Sequence, residues 1–175
     1  LFLSAVKLGP ALAAGCTIVL KASEEGPAPM LEFARLVHEA GFPAGVVNIL
    51  TGFGADCGSV LTSHQKIDHV AFTGGPETAR HIVRNSAQNL ASTSLELGGK
   101  SPFIVFDDAD IDSAVNAQVS VIFAATGQSC VAGSRLIISN KIKQAFLTPL
   151  VEKTKAVVVG EPQDMATEKG HLCTI

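Results

Sequence analysis

Short apolar runs alternate with amphipathic stretches along most of this chain, and that alternation constrains its fold more than any other feature. Ala5–Ala14 reads as a helix that stops at Gly15, a residue suited to ending helices. Thr17–Leu20, Val46–Leu50, His69–Phe72 and Thr93–Leu97 are too short for helices and read as buried strands. Between them, Pro27–Ala40 places Met30, Phe33, Ala34, Val37 and Ala40 on one helical face and ends at Gly41. A short helix to about Ser63 and a helix over Pro76–Asn89 complete an α-β-α-β-α-β-α-β series. Such a series predicts an α/β fold, with a parallel sheet covered by helices on both faces. Pro102–Phe106 opens a second series: strand, helix Ile111–Phe123, polar loop, strand Arg135–Ser139, helix Ile142–Lys155. The Gly98-Gly99 turn between the series predicts two parts, 1–98 and 99–175.

Composition removes several function classes. Apolar residues make up 47% of the 175 and charged residues only 17%, against a usual ~25% charged. A disordered chain is excluded, and some apolar surface is expected to lie against further protein. A net charge of -3 carries no basic excess for a nucleic acid. With no Trp, no Tyr and nine scattered Phe, there is no aromatic platform for stacking bases. Cys16, Cys57, Cys130 and Cys173 lie far apart without a C-x-x-C pair, which reads as reduced thiols in the cytoplasm. No apolar run is long enough to span a membrane. The opening residues imitate a signal peptide, but Lys7 and Pro10 interrupt them and the first residue is not Met, so a helix entered partway is expected.

Residues able to do chemistry gather in the turns after the strands, where open α/β sheets bind ligands. In Lys21-Ala22-Ser23-Glu24, a Lys and a Glu could both reach ribose hydroxyls; a solvated loop capped by Ser23 is the plainer reading. The stretch Gly52-Phe53-Gly54-Ala55-Asp56-Cys57-Gly58 resembles G-x-G-x-x-G with one residue too many in its last gap. It lacks the acidic residue that the dinucleotide fingerprint needs further on, and a tight turn feeding a helix also explains it. Phe72-Thr73-Gly74-Gly75-Pro76-Glu77 fits a strand–turn–helix junction. Its glycines allow close approach and its free N–H groups suit a pyrophosphate, although a simple turn would look the same. Gly98-Gly99-Lys100-Ser101 imitates a P-loop tail, but Ser94 stands where a Gly is required and Pro102 opens a strand.

Cys130 lies in the polar, Gly-flanked stretch Thr126–Gly133, where an accessible thiol can be activated. An inert thiol is the alternative. Glu96 ends an apolar strand. Buried there, it would suit general-base work; facing outward, which period-2 alternation equally permits, it would not be desolvated. The five His form no ligand spacing among themselves or with Cys, so no metal site is expected.

Taken together, Lys21–Glu24, Phe72–Gly75, Glu96-Leu97-Gly98-Gly99-Lys100 and Gly127-Gln128-Ser129-Cys130 resemble the aldehyde dehydrogenase superfamily over essentially the whole chain. The resemblance implies a Rossmann-like NAD-binding part in 1–98 and the start of a thiol-bearing catalytic part in 99–175. It implies Cys130 as the nucleophile that forms a thiohemiacetal and then a thioester. Glu96 would be the general base for hydrolysis and would assist in deprotonating Cys130. It sets Lys21 and Glu24 on the adenosine ribose, Gly54 and Gly58 on the adenine side, Phe72, Gly74 and Gly75 near the pyrophosphate, and Leu97 near the nicotinamide ribose. NAD is expected over NADP, because a carboxylate at Glu24 would repel a 2′-phosphate.

The substrate implied is a small aldehyde, bordered here by Val121–Thr126 and Val131, and the implied assembly is a homo-oligomer. Ala22, Gly75 and Ala79 depart from the Pro, Ser and Gly usual in the family. The family's oxyanion Asn would precede Leu1, and its later nicotinamide-ribose Glu and oligomerisation strand would follow Ile175. The chain is therefore expected to be a fragment, poorly active alone. Two other readings stay open: a coenzyme-A-acylating semialdehyde dehydrogenase, which the hydrolytic base Glu96 argues against, and a non-catalytic nucleotide-binding module.

Overall fold

Helices and strands begin and end close to where the apolar period changes. The structure, a computed structural model, describes residues 1–172; Cys173 lies outside them. It divides into two compact units, the first Leu1–Leu97 and the second beginning at Gly98.

In the first unit, α1 (Phe2–Ala13), β1 (Ile18–Lys21), α2 (Ala28–Glu39) and β2 (Val47–Leu50) are followed by a single π-helical turn over Gly54–Gly58. Then come α3 (Ser59–Ser63), β3 (His69–Gly74), α4 (Pro76–Ser86) and β4 (Ser92–Leu97). Helices α1 and α2 stop for the same reason. Gly15 and Gly41 take φ of +81° and +80°, a left-handed conformation that costs Gly little. Each then lets its own N–H and the next one turn back: Gly15 to Leu12 and Cys16 to Ala11, Gly41 to His38 and Phe42 to Val37. These paired bonds satisfy carbonyls that a bare helix end would leave open.

Both strand pairs of this unit are parallel, β1 on β2 with Ile18 opposite Val47 and β3 on β4 with His69 opposite Ser92. The α/β class with parallel strands is as expected. Among the described residues the ladders form separate two-stranded sheets. Parallel strands need a crossover, and β2-to-β3 here crosses without pairing. Helix α1 packs on β1, α2 on β2, and α4 on β3 and β4. Leu8, Ala22, Met30, Ala79 and Ile82 are buried.

The second unit runs β5 (Pro102–Val105), α5 (Ile111–Phe123), a short 3₁₀ turn over Ala124–Gly127, β6 (Arg135–Ile138) and α6 (Lys143–Ala156). Strands β5 and β6 are parallel, Pro102 opposite Arg135. Val105, Val115 and Phe146, from β5, α5 and α6, form its core, with Phe103, Ile111, Leu136 and Leu150 packed around them. The loop after α5, expected only to be polar, is more specific than that. Ala125 (φ 49°, ψ 40°), Thr126 (φ 58°, ψ 31°) and Gly127 (φ 77°) are left-handed in succession.

Candidate functional site

Three groups of side chains answer to the motifs. At the carboxyl ends of β1 and β2, the Lys21 ammonium donates to the Gly52 carbonyl (2.8 Å), the Ala22 carbonyl (2.9 Å) and Glu24 Oε2 (3.1 Å). Its three N–H bonds thus tie two strand ends together. A Cβ on Gly58 would lie 3.6 Å from Lys21 Cδ, so the lysine stem runs along that glycine. Backbone N–H donation and then the neighbouring Lys21 ammonium hold the Glu24 carboxyl below its ordinary value, with a smaller contribution from the Gly54 N–H. The structure therefore brings Lys21, Glu24, Gly54 and Gly58 together, although the last two come from a turn the fingerprint fits poorly. Gly52 is required here: its φ is +145°, and a Cβ would meet Cys57 Cβ at 2.8 Å.

The second group lies at the carboxyl ends of β3 and β4. Phe72 folds its ring over Gly74, where a Cβ would stand 2.4 Å from the ring tip. Gly75 caps α4 with an extended backbone and Pro76 starts the helix. Nothing lies within 4 Å of where a Gly75 Cβ would be. The first-turn N–H groups of Glu77 and Thr78 have no partner within the helix, and N–H groups of this kind with open space before them are able to take an anion. Leu97 is half-buried opposite Gly74, and Glu96 stands opposite Thr73. Of the two readings open for Glu96, the outward one is seen among the described residues: strand β4 alternates strictly, and its period of two turns Ser92, Ser94 and Glu96 to the exposed side.

Sequence reasoning passed over one member of this group. Lys7 Nζ donates to Thr73 Oγ1 at 2.6 Å, linking α1 to the β3 end. The available signal was a single charge in a helix reading Phe-Leu-Ser-Ala-Val-Lys-Leu-Gly-Pro-Ala-Leu-Ala.

In the second unit, Cys130 is exposed and free. It occupies a turn closed by the Ala132 N–H on the Ser129 carbonyl (3.1 Å). The left-handed stretch Ala125–Gly127 leads into that turn, and Ser101 Oγ approaches the Cys130 carbonyl at 3.5 Å. After it, Ala132 and Gly133 are buried. The buried Gln118 donates from Nε2 to the Gly133 carbonyl at 2.9 Å. Val131, one residue past the thiol, is 70% exposed. Among the described residues no three His, Cys, Asp or Glu side chains gather as metal ligands, and no helix is long and apolar enough to cross a membrane.

Residues 1–174 match the aldehyde dehydrogenase family. A (Z)-2-((N-methylformamido)methylene)-5-hydroxybutyrolactone dehydrogenase of Acinetobacter baylyi is 71% identical over 175 residues, covering all of this chain and 36% of that protein. Among solved structures, an aldehyde dehydrogenase from Burkholderia cenocepacia superposes with a TM-score of 0.94 at 46% identity, over 98% of this chain and 35% of that one. Betaine aldehyde dehydrogenase from Staphylococcus aureus, in complex with NAD+, gives a TM-score of 0.90 at 42% identity, over 96% and 33%. The chain thus spans about a third of the length of the relatives it matches.

Proposed function

The chain belongs to the aldehyde dehydrogenase family, and from that premise we propose that it carries the thiol and the cofactor cradle of an NAD-linked oxidation of aldehydes to carboxylic acids. The observation that carries the proposal is Cys130: a free, exposed thiol on a tight turn, fed by a left-handed backbone and followed by a buried foot. A nucleophilic thiol must be reachable, and its backbone must hold still.

In this reading the Cys130 thiolate adds to the aldehyde carbon. The oxyanion that forms is met by the Cys130 backbone N–H, a donor whose position is set by the turn. Oxidation of the adduct to a thioester on Cys130 is the chemistry that NAD supplies when bound. Glu96 then takes a proton from the water that hydrolyses the thioester, releasing the acid and the free thiol. Its exposed side of β4 leaves it open to water.

Lys21 and Glu24 would hold the adenosine ribose, with Gly54 and Gly58 on the adenine side. Phe72, Gly74, Gly75 and the first turn of α4 would hold the pyrophosphate, and Leu97 would border the nicotinamide ribose. The two parts, 1–98 and 99–175, would serve cofactor and thiol respectively. We assign the substrate to aldehydes that exist in part as 5-hydroxybutyrolactones, as the name of the 71%-identical relative suggests. Such a ring opens to an aldehyde and a carboxylate, and the open form offers Cys130 its carbonyl. Homo-oligomeric assembly and a cytoplasmic location, the latter suited to free Cys16, Cys57 and Cys130, complete the proposal.

The test is competitive alkylation with limiting iodoacetamide, with and without NAD, mapped by mass spectrometry. Labelling led by Cys130 and altered by NAD is expected, together with loss of NADH formation in Cys130→Ser. Labelling spread over all cysteines and indifferent to NAD, with Cys130→Ser still active on an aldehyde panel, would overturn it.

A further inference from the structure

We propose that Gln118 is a positioning residue for the Cys130 thiol, acting through the Gly133 carbonyl; this rests on the reading of Cys130 as nucleophile. Gln118 lies on the core side of α5 and is only 5% exposed. A buried glutamine normally uses both ends of its amide. Here Nε2 donates to the Gly133 carbonyl at 2.9 Å, while Oε1, equally buried, has no hydrogen-bond partner among the described residues. A side chain kept for general packing would be apolar. One retained for a single donated bond, at the expense of a stranded acceptor, is holding the group it donates to.

That group is the foot of the thiol turn. Gly133 is wedged in place: a Cβ there would meet Phe103 Cβ at 3.1 Å and Val121 Cγ1 at 3.4 Å. One residue earlier, Ala132 closes the turn with its N–H on the Ser129 carbonyl, and Cys130 and Val131 are the two residues inside it. Gln118 therefore fixes the carbonyl at the base of a four-residue arch whose crown is the thiol. Cys130 is exposed, so the attitude of its thiol toward a substrate carbonyl is set chiefly by that base. A small loss of register there is felt directly as misplacement of the attacking sulfur.

The test compares Gln118→Met, Gln118→Glu, Cys130→Ser and wild type in the intact protein. Three readouts are needed: the second-order rate of Cys130 carboxamidomethylation from acid to alkaline pH, with Cys57 as internal reference; kcat and KM with NAD and an aldehyde; and Tm. Gln118→Met removes the donor but also the stranded acceptor, so Tm should move little. We expect kcat to fall about tenfold, with KM for NAD held within about twofold, and Cys130 alkylation to slow while Cys57 keeps its rate. Gln118→Glu keeps the volume and can donate to Gly133 only when its carboxyl is protonated. Its alkylation rate, taken as a ratio to wild type, should approach one at acid pH and fall as the introduced carboxyl ionises.

A purely structural glutamine would shift Tm and leave both the kcat/KM split and that pH-dependent ratio unmoved. Wild-type kcat and wild-type Cys130 alkylation in folded Gln118→Met would overturn the assignment while Cys130→Ser remains inactive. An active Cys130→Ser would instead overturn the thiol reading, and this inference with it. If Gln118→Met does not fold, the pH-dependent ratio of Gln118→Glu decides, and a flat ratio overturns the proposal.

Discussion

Glu24 shows how far a single side chain can be argued from its neighbours. Its carboxyl is held below its ordinary value by backbone N–H donation and by Lys21, so at neutral pH it is an anion beside the proposed ribose. A second anion on that ribose would sit a few ångströms from it, a repulsion on the order of 1 kcal/mol if fully hydrated and more if not. Glu24→Gln is expected to raise NADP use relative to NAD by about tenfold in kcat/KM, because Lys21 stays to attract the added phosphate. An unchanged ratio, measured with both cofactors on one aldehyde, would remove Glu24 from that role. Lys21 and Glu24 were legible in the sequence because their pairing is local, three residues apart at a strand end. Lys7 and Gln118 were not. Their partners Thr73 and Gly133 lie 66 and 15 residues away, and no local pattern marks a donor whose acceptor is chosen by packing.

Helix α5 is the element whose limits the sequence predicted without error, Ile111–Phe123, and its start has a clear cause. The Asp110 side chain accepts the Ser113 N–H at 2.8 Å, satisfying one of the donors left open at a helix start. Hydrogen bonds from Ser113, side chain first and then backbone, hold the Asp110 carboxyl below its ordinary 3.8. The folded state therefore binds this proton less readily than the unfolded chain. The cap's contribution is present above about pH 3.8 and is lost as pH falls through the lower folded value. Asp110→Ala should accordingly lower Tm at neutral pH, with the gap to wild type closing in acid. Asp110→Asn, which can still accept the bond, should lose less at neutral pH. A gap independent of pH in thermal melts would rule out the carboxylate as the cap.

The other end of α5 was not legible. Ala125 and Thr126 have no glycine's freedom, and a β-branched residue at φ 58° is an outlier. Such backbone costs about 1–2 kcal/mol per residue and persists only where surrounding structure imposes it. Propensity argues against it, so sequence reasoning could only predict a loop.

Across the whole chain, the apolar excess noted in the composition reappears as exposed surface. At 18.1 kDa the chain exposes 11814 Å². A folded protein of this mass exposes about 8,000 Å², and even two independent units of half the mass only about 9,700 Å². Large apolar side chains are among the exposed ones: Phe2 is 77% exposed, Phe106 68% and Ile137 54%. The 175-residue polypeptide by itself is expected to bind anilinonaphthalene sulfonate strongly and to unfold over a broad transition. A sharp, single transition without dye fluorescence would contradict that. What the sequence determined alone is what depends on nearest neighbours along the chain: the period of each element, the glycine stops at Gly15 and Gly41, the parallel α/β class and the turns at the strand ends. Tertiary structure decided which strands pair, that Glu96 faces outward, that Lys21 spans to Gly52, and that Gln118 grips the base of the Cys130 turn. Those outcomes are set by which buried polar groups must find partners across space, and a chain can be read locally for the groups but not for the partners.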